Sequence, residues 1–129
     1  MTADRPIVFI SRSRIRPGML DGLRSFLAAG VSALEAAKPR TVAFLAYVDE
    51  SSMTLTIVHL FANAAGFAAH VDGADDRSDA AAIFIEPLAM EIHGAPDEAT
   101  IGAIRSGLPS DVPVLIGADY LSGFFRRPL

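Results

Sequence analysis

Three histidines, His59, His70 and His93, are the side chains of this 129-residue chain whose residue type has an ordinary pKa near neutral. A neutral imidazole can take or give a proton there, which makes each a candidate acid or base. His70 closes residues 53–70, in which MTLTIVHL runs into FANAAGFAAH, and it is the first candidate for catalysis. The same residue can instead serve at a helix end, bonded to a backbone carbonyl. His59 shares a strand parity with Phe61, which suits a pocket wall or a hydrogen-bonded core histidine. His93 ends a strand and is expected to be exposed. No H-x-E-x-H spacing joins them, so no metal site is expected.

The other polar groupings are weaker. Arg12, Arg14 and Arg16 alternate along one strand face, where they can bind a carboxylate or phosphate, or form salt bridges to Glu91 and Asp49. Asp72, Asp75, Asp76 and Asp79 lack the glycine and closing glutamate of a calcium loop. Neither a phosphate-cradling G-x-x-x-x-G-K nor a dinucleotide G-x-G-x-x-G occurs, and there is no G-x-S-x-G elbow. The chain has no cysteine, which excludes disulfides, zinc–thiolate sites and cysteine nucleophiles.

These residues need elements to hold them. Residues 6–16 read as a strand, with IVFI favouring β-structure and Pro17-Gly18 ending it. Residues 19–38 carry Leu20, Leu23, Phe26, Leu27, Val31 and Leu34 at three- and four-residue steps, the stripe of an amphipathic helix. Residues 41–48 form a second strand, joined through the polar turn Asp49-Glu50-Ser51-Ser52 to the strand from Met53. Both parities of that third strand are largely apolar, as in a central strand covered on both faces. Asn63 suits a helix N-cap, and Phe67 and Val71 share the face of the helix that follows. Residues 71–76 read as a break, with a further helical piece from Arg77 to about Ile85. Residues 88–93 form the last core strand. Beyond it a short helix from Asp97 to Arg105 and a β-prone run over 112–116 are expected.

Composition fits one soluble domain over 1–129, with a core over 6–95 and a C-terminal extension over 96–129. Half of the residues are hydrophobic and 20% are charged, which allows a packed core. A net charge of −4 argues against nucleic acid as a partner. No apolar run approaches a membrane span, and no segment reads as a signal peptide, so a cytoplasmic location is expected.

The order β-α-β-β-α-β is the split, ferredoxin-like arrangement of an α+β fold with an antiparallel sheet. Right-handed crossovers put both helices on one face. The other face then stays bare and largely apolar, and a second copy is the simplest cover. The expectation is a homodimer with facing sheets.

With these elements in place, the chain resembles the antibiotic biosynthesis monooxygenase-like (ABM) family of dimeric α+β barrels. The likeness rests on Arg14-Ile15-Arg16-Pro17-Gly18, on the aromatic residue, alanine and histidine of residues 61–70, and on the element order. It implies a cofactor-independent monooxygenase acting on a small aromatic or quinol-like ligand. His70 would be the base or orienting group, and Phe9, Tyr47, His59, Phe61 and Phe67 would shape the substrate pocket. Two departures stand out. Phe61 occupies a position where the family usually has tryptophan or tyrosine, and the first strand lacks the asparagine of haem-degrading relatives. An isomerase or lyase of the same fold, and a non-catalytic small-molecule binder, are the alternatives.

Overall fold

The computed structural model describes residues 5–117 and 119–126. The elements run β1 (Ile7–Ile15), α1 (Leu20–Ala37), β2 (Thr41–Asp49), β3 (Thr54–Phe61), α2 (Ala64–Val71), α3 (Ala74–Ala81), β4 (Ile85–His93), α4 (Glu98–Ser106) and β5 (Val114–Ile116). The strands make one sheet of order β2-β3-β1-β4-β5. Its first four strands pair antiparallel, which is the ferredoxin-like order expected. The fifth departs from that expectation. β5 lies parallel to β4, so the sheet is mixed. The intervening α4 supplies the crossover that a parallel neighbour requires.

Side-chain alternation sorts the sheet into two faces. Ile7, Phe9 and Ile15 of β1 point to the helices with Leu55, Ile57 and Phe61 of β3 and Ile92 of β4. α1 presses Leu20, Leu23 and Leu27 onto Ile15 and Leu55, and this end is closed by Phe84. α2 presses Phe67 and Val71 onto Ile7, Phe61 and Ile92. The extension contributes to this second cluster through Ile104 of α4 and Val114 of β5. Burial of such side chains supplies roughly 1.5–3 kcal/mol each, so residues beyond 96 help hold α2 in place.

Local chemistry sets the boundaries. Gly18 turns the chain at φ 76° after Pro17, a conformation costly for other residues. Asn63 caps α2, its Oδ1 accepting from the Gly66 N–H at 2.8 Å. The second helical region differs from the sequence expectation. The break is confined to Asp72 and Gly73, and α3 starts at Ala74 rather than Arg77. Gly73 takes φ 81° there, and Asp75 and Asp76 fall in the first turn of α3, facing its positive dipole end. β4 begins at Ile85, ahead of Pro87. A register shift between Arg12 and Ser13 accommodates the proline, whose missing N–H would otherwise interrupt the ladder.

Candidate active site

The site is built where β1, β2 and β3 meet α2. Phe9, Phe44 and His59 sit side by side across three strands, since His59 is in register with both phenylalanines. The rings stay in contact: Phe9 stacks on His59 at 4.8 Å between centroids, and Phe44 meets it edge-on at 4.9 Å. α2 lowers His70 onto this layer. Its ring lies 5.1 Å from His59 and 5.2 Å from Phe61, while Phe67 reaches Phe61 at 5.0 Å and Phe9 at 5.3 Å. His59 and His70 are each 5% exposed, and Phe61 and Phe67 not at all.

The two imidazoles are held differently. His59 Nδ1–H donates to the Phe9 carbonyl at 2.9 Å, because a carbonyl oxygen only accepts. That fixes the tautomer of the neutral ring and leaves Nε2 as an acceptor. His70 Nδ1 pairs with the Thr41 hydroxyl at 2.7 Å. Neither Nε2 has a hydrogen bond among the described residues, yet no sealed side-chain nitrogen or oxygen there lacks one. Both Nε2 atoms therefore keep some contact with accessible space.

Both rings are neutral at physiological pH. Burial lowers the His59 pKa to about 4, with the Phe9 carbonyl opposing and Arg77 adding to the effect. Burial likewise takes His70 to about 3, helped by His59, Arg77 and Lys38. The cations are there for a reason of helix chemistry. Lys38 Nζ donates to the carbonyls of Ala69 and Asp72, and Arg77 donates to those of His70 and Asp72. They satisfy the C-terminal carbonyls of α2. His70 is thus relieved of the capping task that a helix-end histidine can perform, and its ring turns inward to Thr41.

Five of the six site residues read from the sequence come together here: His70, His59, Phe9, Phe61 and Phe67. Tyr47 does not. It lies in register with Thr56, on the opposite sheet face, and is 58% exposed. Phe44 takes the place expected of it. Thr41 also escaped sequence reading, because a register shift between Thr41 and Ala43 turns Thr41 and Phe44 to one face despite their odd spacing. The remaining candidates lie outside this site. Arg12 pairs with Glu91, and Arg14 and Arg16 with Glu86. His93 is on the open face, its Nε2–H donating to Glu91 at 3.0 Å. Among the described residues no three histidine, aspartate or glutamate side chains are grouped to hold a metal, and no helix is long and apolar enough to cross a membrane.

No sequence family pattern and no curated protein sequence matches the chain. Solved structures do match in shape. MupZ from Pseudomonas fluorescens superposes with a TM-score of 0.67 over 96% of both chains, at 14% identity. Rv0793 from Mycobacterium tuberculosis gives 0.56 over 73% of this chain and 98% of its own, at 20% identity. A Chloroflexus aurantiacus protein, provisionally named an antibiotic biosynthesis monooxygenase, gives 0.54 over 67% of this chain and 89% of its own, at 16% identity. This chain has the ABM-like fold. The match to MupZ takes in nearly the whole chain, whereas the other two take in 73% and 67% of it. The ring cluster lies on β1, β2, β3 and α2, and the extension adds α4 and β5.

Proposed function

We propose that the chain is a cofactor-independent monooxygenase acting on a small aromatic, quinol-like substrate at the His59–His70 cluster. The observation that carries this reading is a pair of neutral imidazoles with acceptor capacity, set among four phenylalanine rings. The shape likeness to a protein named as an antibiotic biosynthesis monooxygenase supports it. Aromatic walls suit a flat, apolar ligand. In this scheme His70 accepts a proton from an anthrone-like carbon or a quinol hydroxyl. The substrate anion gives an electron to dioxygen, the radical pair joins to a peroxide, and for an anthrone loss of water leaves the carbonyl product. One oxygen atom enters the substrate and the other leaves as water with the two hydrogens of the original methylene. The imidazolium formed on His70 pairs with the substrate anion, which offsets the burial that otherwise disfavours its charge.

The test is oxygen uptake with anthrone or a naphthoquinol. Wild-type protein should consume one dioxygen per anthrone, and His70→Ala should lose at least 100-fold in kcat. Equal uptake by the two proteins would overturn the assignment. The tight ring packing favours, as a second reading, a binder without turnover, which would show ligand affinity and no uptake. Conversion of ligand under nitrogen would point to an isomerase or lyase. A homodimer with facing sheets belongs to the same proposal.

A further inference from the structure

An opening lies on the other side of the sheet from His70. It is a cavity of about 410 Å³ between the open sheet face and the C-terminal segment, within the range of small-molecule sites. Val8 and Leu60, neighbours in the β1–β3 register, form its floor. Tyr120, Phe124 and Phe125 come over it from the extension. Phe124 remains 75% exposed and Phe125 41%, so rings are held at the mouth without being consumed by packing. The segment is tied by its own contacts: Arg126 lies over the Phe124 ring at 4.7 Å.

Besides the Tyr120 hydroxyl, two side chains that can accept a hydrogen bond line this apolar space, His93 and Asp119. His93 is oriented by a chain of charge. Arg12 donates to Glu91, and Glu91 accepts from His93 Nε2–H. The Glu91 carboxyl is held below the usual carboxylate range by Arg12 and then by His93. In the tautomer that donates from Nε2 to Glu91, Nδ1 is the acceptor, and it has no hydrogen bond among the described residues. Gly117 keeps it that way: a Cβ at Gly117 would overlap Nδ1 and push the ring off Glu91. The cavity therefore offers aromatic and aliphatic walls and two acceptors.

We infer that this cavity is a second binding site, for a small aromatic molecule whose hydroxyl donates to His93 Nδ1 or Asp119. It is separate from the His59–His70 cluster, since His93 pairs with Val8 on the face opposite Phe9. The site stands whether or not the protein reacts with oxygen.

The probe is 1-naphthol, with naphthalene as the control lacking a donor, titrated into the full chain by calorimetry. The chain has two tyrosines and no tryptophan, so quenching of tyrosine emission gives a second readout. Binding of 1-naphthol at least tenfold tighter than naphthalene is expected. His93→Gln, an exposed change, should weaken it at least tenfold while leaving the thermal melt and the anthrone-dependent oxygen uptake unchanged. Gly117→Ala should weaken it similarly by displacing the ring, and His70→Ala should leave it intact. Absence of 1-naphthol binding would overturn the site. So would equal affinity for naphthalene, or binding lost in His70→Ala and untouched in His93→Gln. Loss of oxygen uptake alone would count against the His70 reading and leave this one standing.

Discussion

A buried imidazole that must stay neutral makes the fold sensitive to acid. The unfolded chain takes up protons on His59 and His70 near pH 6.5, whereas the folded chain resists until about 4 and about 3. Between those limits the unfolded state binds more protons, so stability rises with pH and falls as pH drops below 6.5. Each histidine costs up to about 1.4 kcal/mol per pH unit in that window. Glu91 and Asp49, whose pKa values are lowered by their partners, add a loss of the same sign at lower pH. Urea midpoints at pH 7.5 and 5 should therefore differ clearly, and His70→Phe should flatten the difference. An unchanged midpoint would mean that the rings meet more water than the structure gives them. Thr41→Val probes orientation without removing the imidazole. It deletes the bond to Nδ1, which should cost about 1 kcal/mol of stability and lower kcat in the anthrone assay roughly tenfold, with KM little moved. Much of this cluster was legible: His59 and His70 stood out by residue type and position, and the resemblance to the ABM-like family pointed to Phe9, Phe61 and Phe67, whereas Phe44 was missed in favour of Tyr47. Its polar partner was not legible, since Thr41 faces His70 only through a register shift that no residue type announces.

Connections between elements are equally specific. Gly94 ends β4 at φ 121°, and a Cβ there would fall 2.9 Å from the Pro6 carbonyl oxygen and 2.9 Å from Ile7. The Pro6 carbonyl is backbone just ahead of β1 and cannot swing away. Gly94→Ala should thus combine backbone strain with a clash and destabilise by about 2–4 kcal/mol, measured as a fall in urea midpoint. A loss below 0.5 kcal/mol would show that this turn relaxes freely. The element order followed from periodicity and punctuation: Pro17-Gly18 and the Asn63 cap stand where alternation changes to helical spacing, and the polar turn at 49–52 separates two alternating runs. The start of β4 was hidden by Pro87, which reads as a strand breaker until the register shift opposite it is seen. The parallel β5 was hidden for a different reason. Three residues are too few to show a period, and only the tertiary position of α4 sets their direction.

For the molecule as a whole the open sheet face is decisive. It is divided in character. Arg12, Arg14, Glu86 and Glu91 form an ion-paired strip across β1 and β4, while Val8, Ile10, Val58 and Leu60 form an apolar strip across β1 and β3. Leu45 and Tyr47 extend that strip on β2, 48% and 58% exposed. The C-terminal segment covers only the corner near Val8, Leu60 and His93. An interface of standard size buries about 800 Å² per partner, roughly a tenth of the 7901 Å² surface of the described residues. The proposed dimer places Ile10 and Val58, which pair in the β1–β3 register, near the middle of that contact. Val58→Asp puts a carboxylate there, and in a two-fold interface each copy meets its own twin. Desolvating two like charges costs more than a single strip of aliphatic contact returns. Sedimentation equilibrium should give twice the chain mass for wild-type protein and the single chain mass for Val58→Asp, with the helical circular dichroism of both unchanged. A wild-type chain that sediments as a monomer at micromolar concentration would remove the dimer, and a Val58→Asp protein that stays paired would move the contact off this face.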